Sequence, residues 1–174
     1  MLKNFQLIRI LWLCSFFLFS ELSQAYVGGS SFCSEHFSPY QRFHLRKDPI
    51  YFGKQVHLSS YTKKPFQKGL PTILFIAGGP GASPRDSEFD LIGYNIIFFE
   101  PRGLGCSKPD SKATFVDPLF YSTQQTVDDI KVVLEDYKVD KAIVYGHSYG
   151  TMVATIFAHR YPKLVELLVL EGIS

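Results

Sequence analysis

From Pro71 onward the chain alternates between short, uninterrupted apolar runs and longer stretches with helical periodicity. The runs are Thr72–Ala77 (TILFIA), Asn95–Phe99 (NIIFF), Lys141–Tyr145 (KAIVY) and Leu167–Leu170 (LLVL). Continuous apolar runs of this length mark strands buried on both faces, as in a parallel sheet that helices cover. Between the second and third runs, Val127, Ile130, Val133, Leu134 and Tyr137 recur at three- and four-residue spacing, which predicts a helix. Either Thr126 and Asp129 form a capping box at its start, or it begins a turn earlier at Ser122. A second helix is predicted over Tyr149–Tyr161, stopped by Pro162. Strands and helices in this order predict an α/β fold built on a mostly parallel, doubly wound sheet. Upstream, Arg42–Lys47 and Tyr51–Tyr61 alternate in part and predict the two arms of a β-hairpin. Lys63-Lys64-Pro65 and Lys68-Gly69 then mark a solvent-facing loop.

Composition narrows the class of protein. With 174 residues, 46% of them hydrophobic and 20% charged, the chain excludes a disordered or fibrous protein. The formal net charge is +2 and the basic residues are dispersed, which argues against nucleic acid as a partner. Three cysteines without Cys-x-x-Cys spacing predict neither a zinc site nor a disulfide scaffold.

Residues 1–25 read as an address rather than as fold. Lys3 and Arg9 precede the apolar run Ile10–Phe19, and Ser23-Gln24-Ala25 places small residues where a signal peptidase cuts, before Tyr26. The run is about half the length a membrane-spanning helix needs, so no stable membrane anchor is expected after cleavage. Export to the periplasm or the medium follows, into an oxidising compartment. Residues 26–174 then form the remaining unit, with 16 basic and 15 acidic residues, a balance that names no partner. Within it, Cys33 and Cys106 either pair or stay as two buried thiols.

The chemistry concentrates at Gly146-His147-Ser148-Tyr149-Gly150, between the run KAIVY and the helix that follows. Gly-x-Ser-x-Gly in a strand–turn–helix context puts a serine on a sharp turn above the carboxyl end of a sheet. Gly146 and Gly150 let the neighbouring backbone pass without a Cβ. The helix behind the serine offers unpaired N–H groups that favour a developing anion. Ser148 is therefore the candidate nucleophile. An oxyanion hole needs two converging donors: one is the N–H of Tyr149, the other comes from Gly78-Gly79-Pro80-Gly81 after TILFIA, through Gly79 or alternatively Gly78. Pro80 stiffens that loop and donates nothing. A third segment, Glu100-Pro101-Arg102-Gly103-Leu104-Gly105-Cys106-Ser107, is Gly-rich but lacks the spacing of a phosphate-binding loop. A structural role is expected there, with Arg102 pairing a carboxylate beside the site. No cofactor or metal motif is present in the sequence.

GGPG after one strand, PRGLGCS after the next and GHSYGT at the turn, in this order, resemble the α/β-hydrolase superfamily. Within it they look like the proline iminopeptidase and tripeptidyl aminopeptidase branch of serine peptidases, over roughly Pro71 to Ser174. Two positions depart from that branch: Ala77 stands where His or Pro commonly precedes the glycine loop, and Glu100 where Asp usually opens the next segment. The resemblance implies an aminopeptidase acting on small peptides through an acyl-enzyme on Ser148. A carboxylesterase or lipase of the same fold, acting on esters, and a non-catalytic remnant are the alternatives. It also implies that the triad acid and histidine follow Ser148, and that a cap recognises the substrate's amino terminus. After Ser148 the chain offers only His159, eleven residues along the helix and roughly 16 Å away, with Glu166 and Glu171. His147 is expected to support rather than to act as the base. The expectation is thus an N-terminal part of a hydrolase domain, C-terminally incomplete and catalytically silent alone, with Leu167–Leu170 as an exposed apolar edge.

Overall fold

The computed structural model describes residues 38–48, 55–107 and 119–172. The leader at 1–25, Cys33 and residues 51–54 of the second hairpin arm lie outside the described residues. The elements are β1 (Gln41–Lys47), β2 (Gln55–Tyr61), β3 (Thr72–Ile76), β4 (Asn95–Glu100), α1 (Thr123–Tyr137), β5 (Ala142–His147), α2 (Tyr149–Arg160) and β6 (Val165–Glu171). They form one six-stranded sheet in the order β1-β2-β4-β3-β5-β6. β1 and β2 form the expected antiparallel hairpin, with Gln41 opposite Tyr61. β2 joins β4 antiparallel, and from β4 across to β6 every pairing is parallel.

The unbroken apolar runs are explained by burial on both faces. Every residue of β3 and β4 is buried. Successive side chains alternate between faces. Leu74, Ile76, Ile97, Phe99 and Val144 meet Val127, Ile130, Val133 and Leu134 of α1 and Val153, Ala154 and Phe157 of α2. On the other face Ile73, Phe75, Ile96 and Phe98 pack with Tyr61, under Phe89 from the connection between β3 and β4. Among the described residues both α-helices lie on the first face. β6 stands at the sheet edge, where Leu167 is 55% exposed.

The start of α1 settles one of the two readings. Its cap is Ser122, whose hydroxyl accepts from the Gln125 N–H at 3.4 Å. The Thr126–Asp129 capping box does not form. Asp129 lies a turn and a half into the helix, fully buried and committed to arginines from other parts of the chain.

α1 is tied to the hairpin by a polar chain that is buried at His44 and Ser60 and reaches the surface at Asp136. His44 on β1 bonds Asp136 through Nδ1 at 2.7 Å and the Ser60 hydroxyl through Nε2 at 2.8 Å. Ser60 in turn donates to the Tyr137 hydroxyl at 3.3 Å, and the Arg42 guanidinium lies 4.0 Å from the Tyr137 ring centroid. This serine, histidine and aspartate cannot act on a substrate, because His44 and Ser60 are buried at 2% and 0% exposure. Burial holds the His44 imidazole below its ordinary value of 6.5, against the opposing pull of Asp136. The unfolded chain therefore binds a proton there before the folded chain does, so stability falls as pH drops below about 6.5. Compared with His44→Gln by chemical denaturation, the native protein should lose part of its stability advantage between pH 7.5 and 5.5; a constant difference would contradict this.

Candidate active site

The strand order fixes where a site can form. The chain runs from β3 to β4 on one side and later places β5 on the other side of β3. The connections after β3 and β5 therefore diverge and leave a crevice at their carboxyl ends, the usual place for ligands in such sheets. The Gly78–Gly81 loop follows β3 and Ser148 follows β5.

Ser148 joins β5 directly to α2 with φ 49° and ψ −121°, a conformation that strains a residue carrying a Cβ. The surrounding backbone holds it there. Its N–H donates to the Glu171 carbonyl at 2.8 Å, across the β5–β6 pairing. Its carbonyl accepts from the Thr151 N–H at 2.8 Å and the Thr151 hydroxyl at 2.6 Å. Tyr149 is the first residue of α2, so its N–H has no partner within the helix. The Tyr149 hydroxyl is hydrogen-bonded to the Thr123 hydroxyl at 2.8 Å, which ties the start of α2 to the start of α1.

The glycines answer to close packing. A Cβ on Gly146 would press on the Gly150 carbonyl, and one on Gly150 would meet the Ile76 and Ala77 carbonyls, each under 3.0 Å. A Cβ on Gly78 would lie 2.9 Å from both the Ser148 Cβ and His147 Nδ1. The glycine loop thus rests directly against the turn. Gly79 and Gly81 have φ of 53° and 100°, and Gly79 closes the loop by accepting from the Ala82 N–H at 3.3 Å. Inside a helix Ala normally outranks Gly by ~1 kcal/mol. Gly150→Ala should reverse that sign and cost about 1–3 kcal/mol, because backbone carbonyls cannot move aside as a side chain can. A thermal melt at unchanged or raised Tm would refute the packing argument.

Ser148 and Gly79 stand between two clefts. One, of about 620 Å³, is lined by Phe75, Phe89, Tyr145, His147, Asp86 and Glu171. The other, of about 530 Å³, is lined by Tyr149, Thr151, Met152, Thr155, Ile156 and Leu170. His147 therefore lines a cleft together with Ser148.

Two buried ion-pair systems, each fastened to the β4 connection, brace these loops. Arg102 donates to Asp129 through Nε at 2.6 Å and Nη2 at 2.8 Å, and also pairs with Asp48. Glu100 is fully buried; it accepts from Arg85 Nε at 2.5 Å and from the Cys106 N–H at 3.0 Å. Arg85 lies in the turn Pro84–Asp86 that continues the glycine loop, so Glu100 anchors that loop to the sheet. Cys106 is disulfide-bonded, which excludes the reading of two free thiols. Arg85 and Asp86 belong to no sequence motif, and only their nearness to the glycine loop in the chain points to them.

Of the four described histidines, His147 lines the cleft beside Ser148 without a hydrogen bond to its hydroxyl, and the other three are engaged or lie elsewhere. His44 is occupied in the polar chain, His57 is exposed on β2, and His159 lies at the far end of α2. Among the described residues no group of three or more His, Cys, Asp or Glu could hold a metal ion.

A strand–serine–helix turn facing a glycine loop at the reversal point of a mostly parallel sheet defines a hydrolase-type core. The family model described as the alpha/beta hydrolase fold matches residues 71–174, and the chain belongs to that family. It is 33% identical over 113 residues to a proline iminopeptidase of Arabidopsis thaliana, covering 62% of this chain and 28% of that protein. To the proline iminopeptidase of Neisseria meningitidis serogroup B it is 31% identical over 134 residues, covering 73% and 41%. The chain thus spans less than half the length of these relatives. The solved proline iminopeptidase-related protein of Thermus thermophilus superposes with a TM-score of 0.56 at 25% identity, over 74% of this chain and 44% of that one.

Proposed function

We propose that this chain carries the nucleophile half of an exported serine hydrolase, of the proline iminopeptidase type, that removes amino-terminal residues from small peptides. The observation that carries the reading is the positive-φ Ser148 between β5 and α2, packed against Gly78. Ser148 Oγ attacks the carbonyl of the residue to be released. The N–H groups of Tyr149 and of Gly79 or Gly78 hold the oxyanion, each donor being worth about 3–4 kcal/mol of barrier. The leaving amine takes the proton that Ser148 gave up, and water then frees the acyl group from Ser148. The acid and base that move these protons are placed outside the described residues, after Ser148 in chain order. The disulfide at Cys106 supports export, since such bonds persist in oxidising compartments. An esterase of the same fold is the second reading, favoured by the uncharged cleft beside Met152, Ile156 and Leu170.

The test is a chimera that joins residues 26–174, hairpin included, to the following part of the Neisseria meningitidis relative. It should release arylamine from L-proline arylamide. Cleavage of aryl esters alone would favour the esterase, and a folded but inert chimera would overturn both readings. The 174-residue chain by itself should be silent, and Ser148-dependent turnover by it would refute that expectation.

A further inference from the structure

β1 presents two different faces. His44 turns toward α1, where it bonds Asp136. Successive side chains alternate across a strand, so Phe43 and Leu45 turn to the opposite face, at 53% and 54% exposure. Phe43 stands opposite Ser59 of β2, and Ser59 opposite Glu100 of β4, which puts the three in one row across the sheet. Cys106 lies at the end of that row. Its N–H donates to Glu100 Oε2 at 3.0 Å, and its Sγ accepts from Arg85 Nη2 at 3.5 Å. The same Arg85 nitrogen donates at 2.8 Å to the side-chain carbonyl of Gln41, three residues after Ser38, where the described chain begins. Cys106 is 3% exposed and disulfide-bonded, and it is the only cysteine among the described residues. Its partner is therefore one of the chain's other two cysteines, Cys14 or Cys33.

Reach and position in the chain separate the two. Cys33 is five residues before Ser38, a span of at most roughly 17 Å of extended chain. Ser38 then leads through a turn into Gln41, beside Cys106. Cys14 lies in the apolar run of the leader, ahead of the cleavage point before Tyr26. We propose that Cys33 and Cys106 form the disulfide, and that it staples residues 26–37 across the face of the hairpin turned away from α1, over Phe43 and Leu45. The segment brings Tyr26, Val27, Phe32 and Phe37, apolar side chains suited to cover that surface. Bond formation oxidises both thiols: the Sγ–Sγ bond forms, two protons leave, and two electrons reduce a disulfide oxidant of the exporting compartment to its dithiol. The staple also bears on the loop beside Ser148. Arg85 belongs to the turn that continues the glycine loop, so the bond at Cys106 steadies the group that holds that loop to the sheet. The inference goes beyond the hydrolase reading of Ser148 and does not depend on it.

The test begins with the full chain, all three cysteines present, oxidised with glutathione disulfide, then alkylated without reduction and digested. Mass spectrometry should find the Cys33 and Cys106 peptides joined and Cys14 alkylated. A Cys14–Cys106 bond, a bond between two chains, or an alkylated Cys106 would overturn the proposal. Nuclear magnetic resonance of Cys33→Ser then reads what the staple holds. The Leu45 methyl signals should shift as their cover is lost, and unmoved signals would overturn the docking. The amides of Ala82 and Ser87, both hydrogen-bonded in the loop, should exchange with solvent on the order of tenfold faster, while those of Val133 and Leu134 in α1 keep their rates. Unchanged loop rates, or a rise shared by α1, would overturn the tie to the glycine loop. Should Cys33→Ser fail to fold, the peptide map of the parent chain still decides the pairing. Because the oxidant is supplied in solution, the result depends on neither export nor turnover. An inert chimera with the bond present would refute the hydrolase reading alone.

Discussion

In the active chimera, Ser148→Ala should lower turnover of L-proline arylamide by about 10⁶, because a triad acts as a unit and removing its nucleophile removes the unit. What should survive is the assistance of the proposed donors, the N–H groups of Tyr149 and of Gly79 or Gly78, roughly 10³–10⁴ over water. The fold should survive as well. Serine and alanine both carry a Cβ, so the cost of φ 49° is already present in the native chain. The bonds that hold position 148 come from its N–H and carbonyl, to Glu171 and Thr151, and alanine keeps both. A Tm within a few degrees of the parent together with lost turnover would separate chemistry from folding. Retained turnover would remove Ser148 from the mechanism.

Asp129→Ala should destabilise the protein by about 3–5 kcal/mol, the cost of leaving a buried charge without its partner. Asp129 is fully buried and serves two cations. It accepts from Arg102 at 2.6 and 2.8 Å and from Arg46 Nη1 at 2.5 Å. Arg102 would retain Asp48, the Phe120 carbonyl at 3.2 Å and the Phe120 ring at 4.5 Å, but not its two-point contact. The exposed pair Lys64–Asp90, at 2.6 Å, is the control. Asp90→Ala should have little or no measurable effect, since solvent screens both charges. Denaturant titration of the two variants measures the contrast. Equal effects would show that the Asp129 cluster contributes no more than a surface pair. Because Arg102 sits in the connection after β4, its loosening should also be felt beside the Ser148 clefts.

The local parts of this molecule were legible along the chain. The apolar runs TILFIA and NIIFF became β3 and β4 because burial on both faces leaves no place for a polar residue. Gly146, Gly150 and the glycines after β3 were legible for a related reason, since close backbone packing at a sharp turn admits nothing larger. The start of α1 was legible only as two alternatives. Ser122 and Thr126 are both competent caps, and the choice fell to Arg46 and Arg102, which draw Asp129 into the interior. Nothing near Asp129 in sequence announces arginines 83 and 27 residues away. The same holds for Glu100, a conspicuous departure in its motif, whose partner Arg85 could be found only once the glycine loop had folded back over β4.

The order of strands and helices, the turn that carries Ser148 and the loop that faces it follow from local pattern, since each depends on residues within a few positions of one another. Long-range packing puts β5 on the far side of β3 from β4, makes Asp129 an ionic hub rather than a cap, and seals His44 away from any substrate. It also decided that the two clefts at Ser148 differ in charge. Each of these depends on residues distant in the chain, whose meeting is set by the packing of the whole sheet rather than by any local pattern.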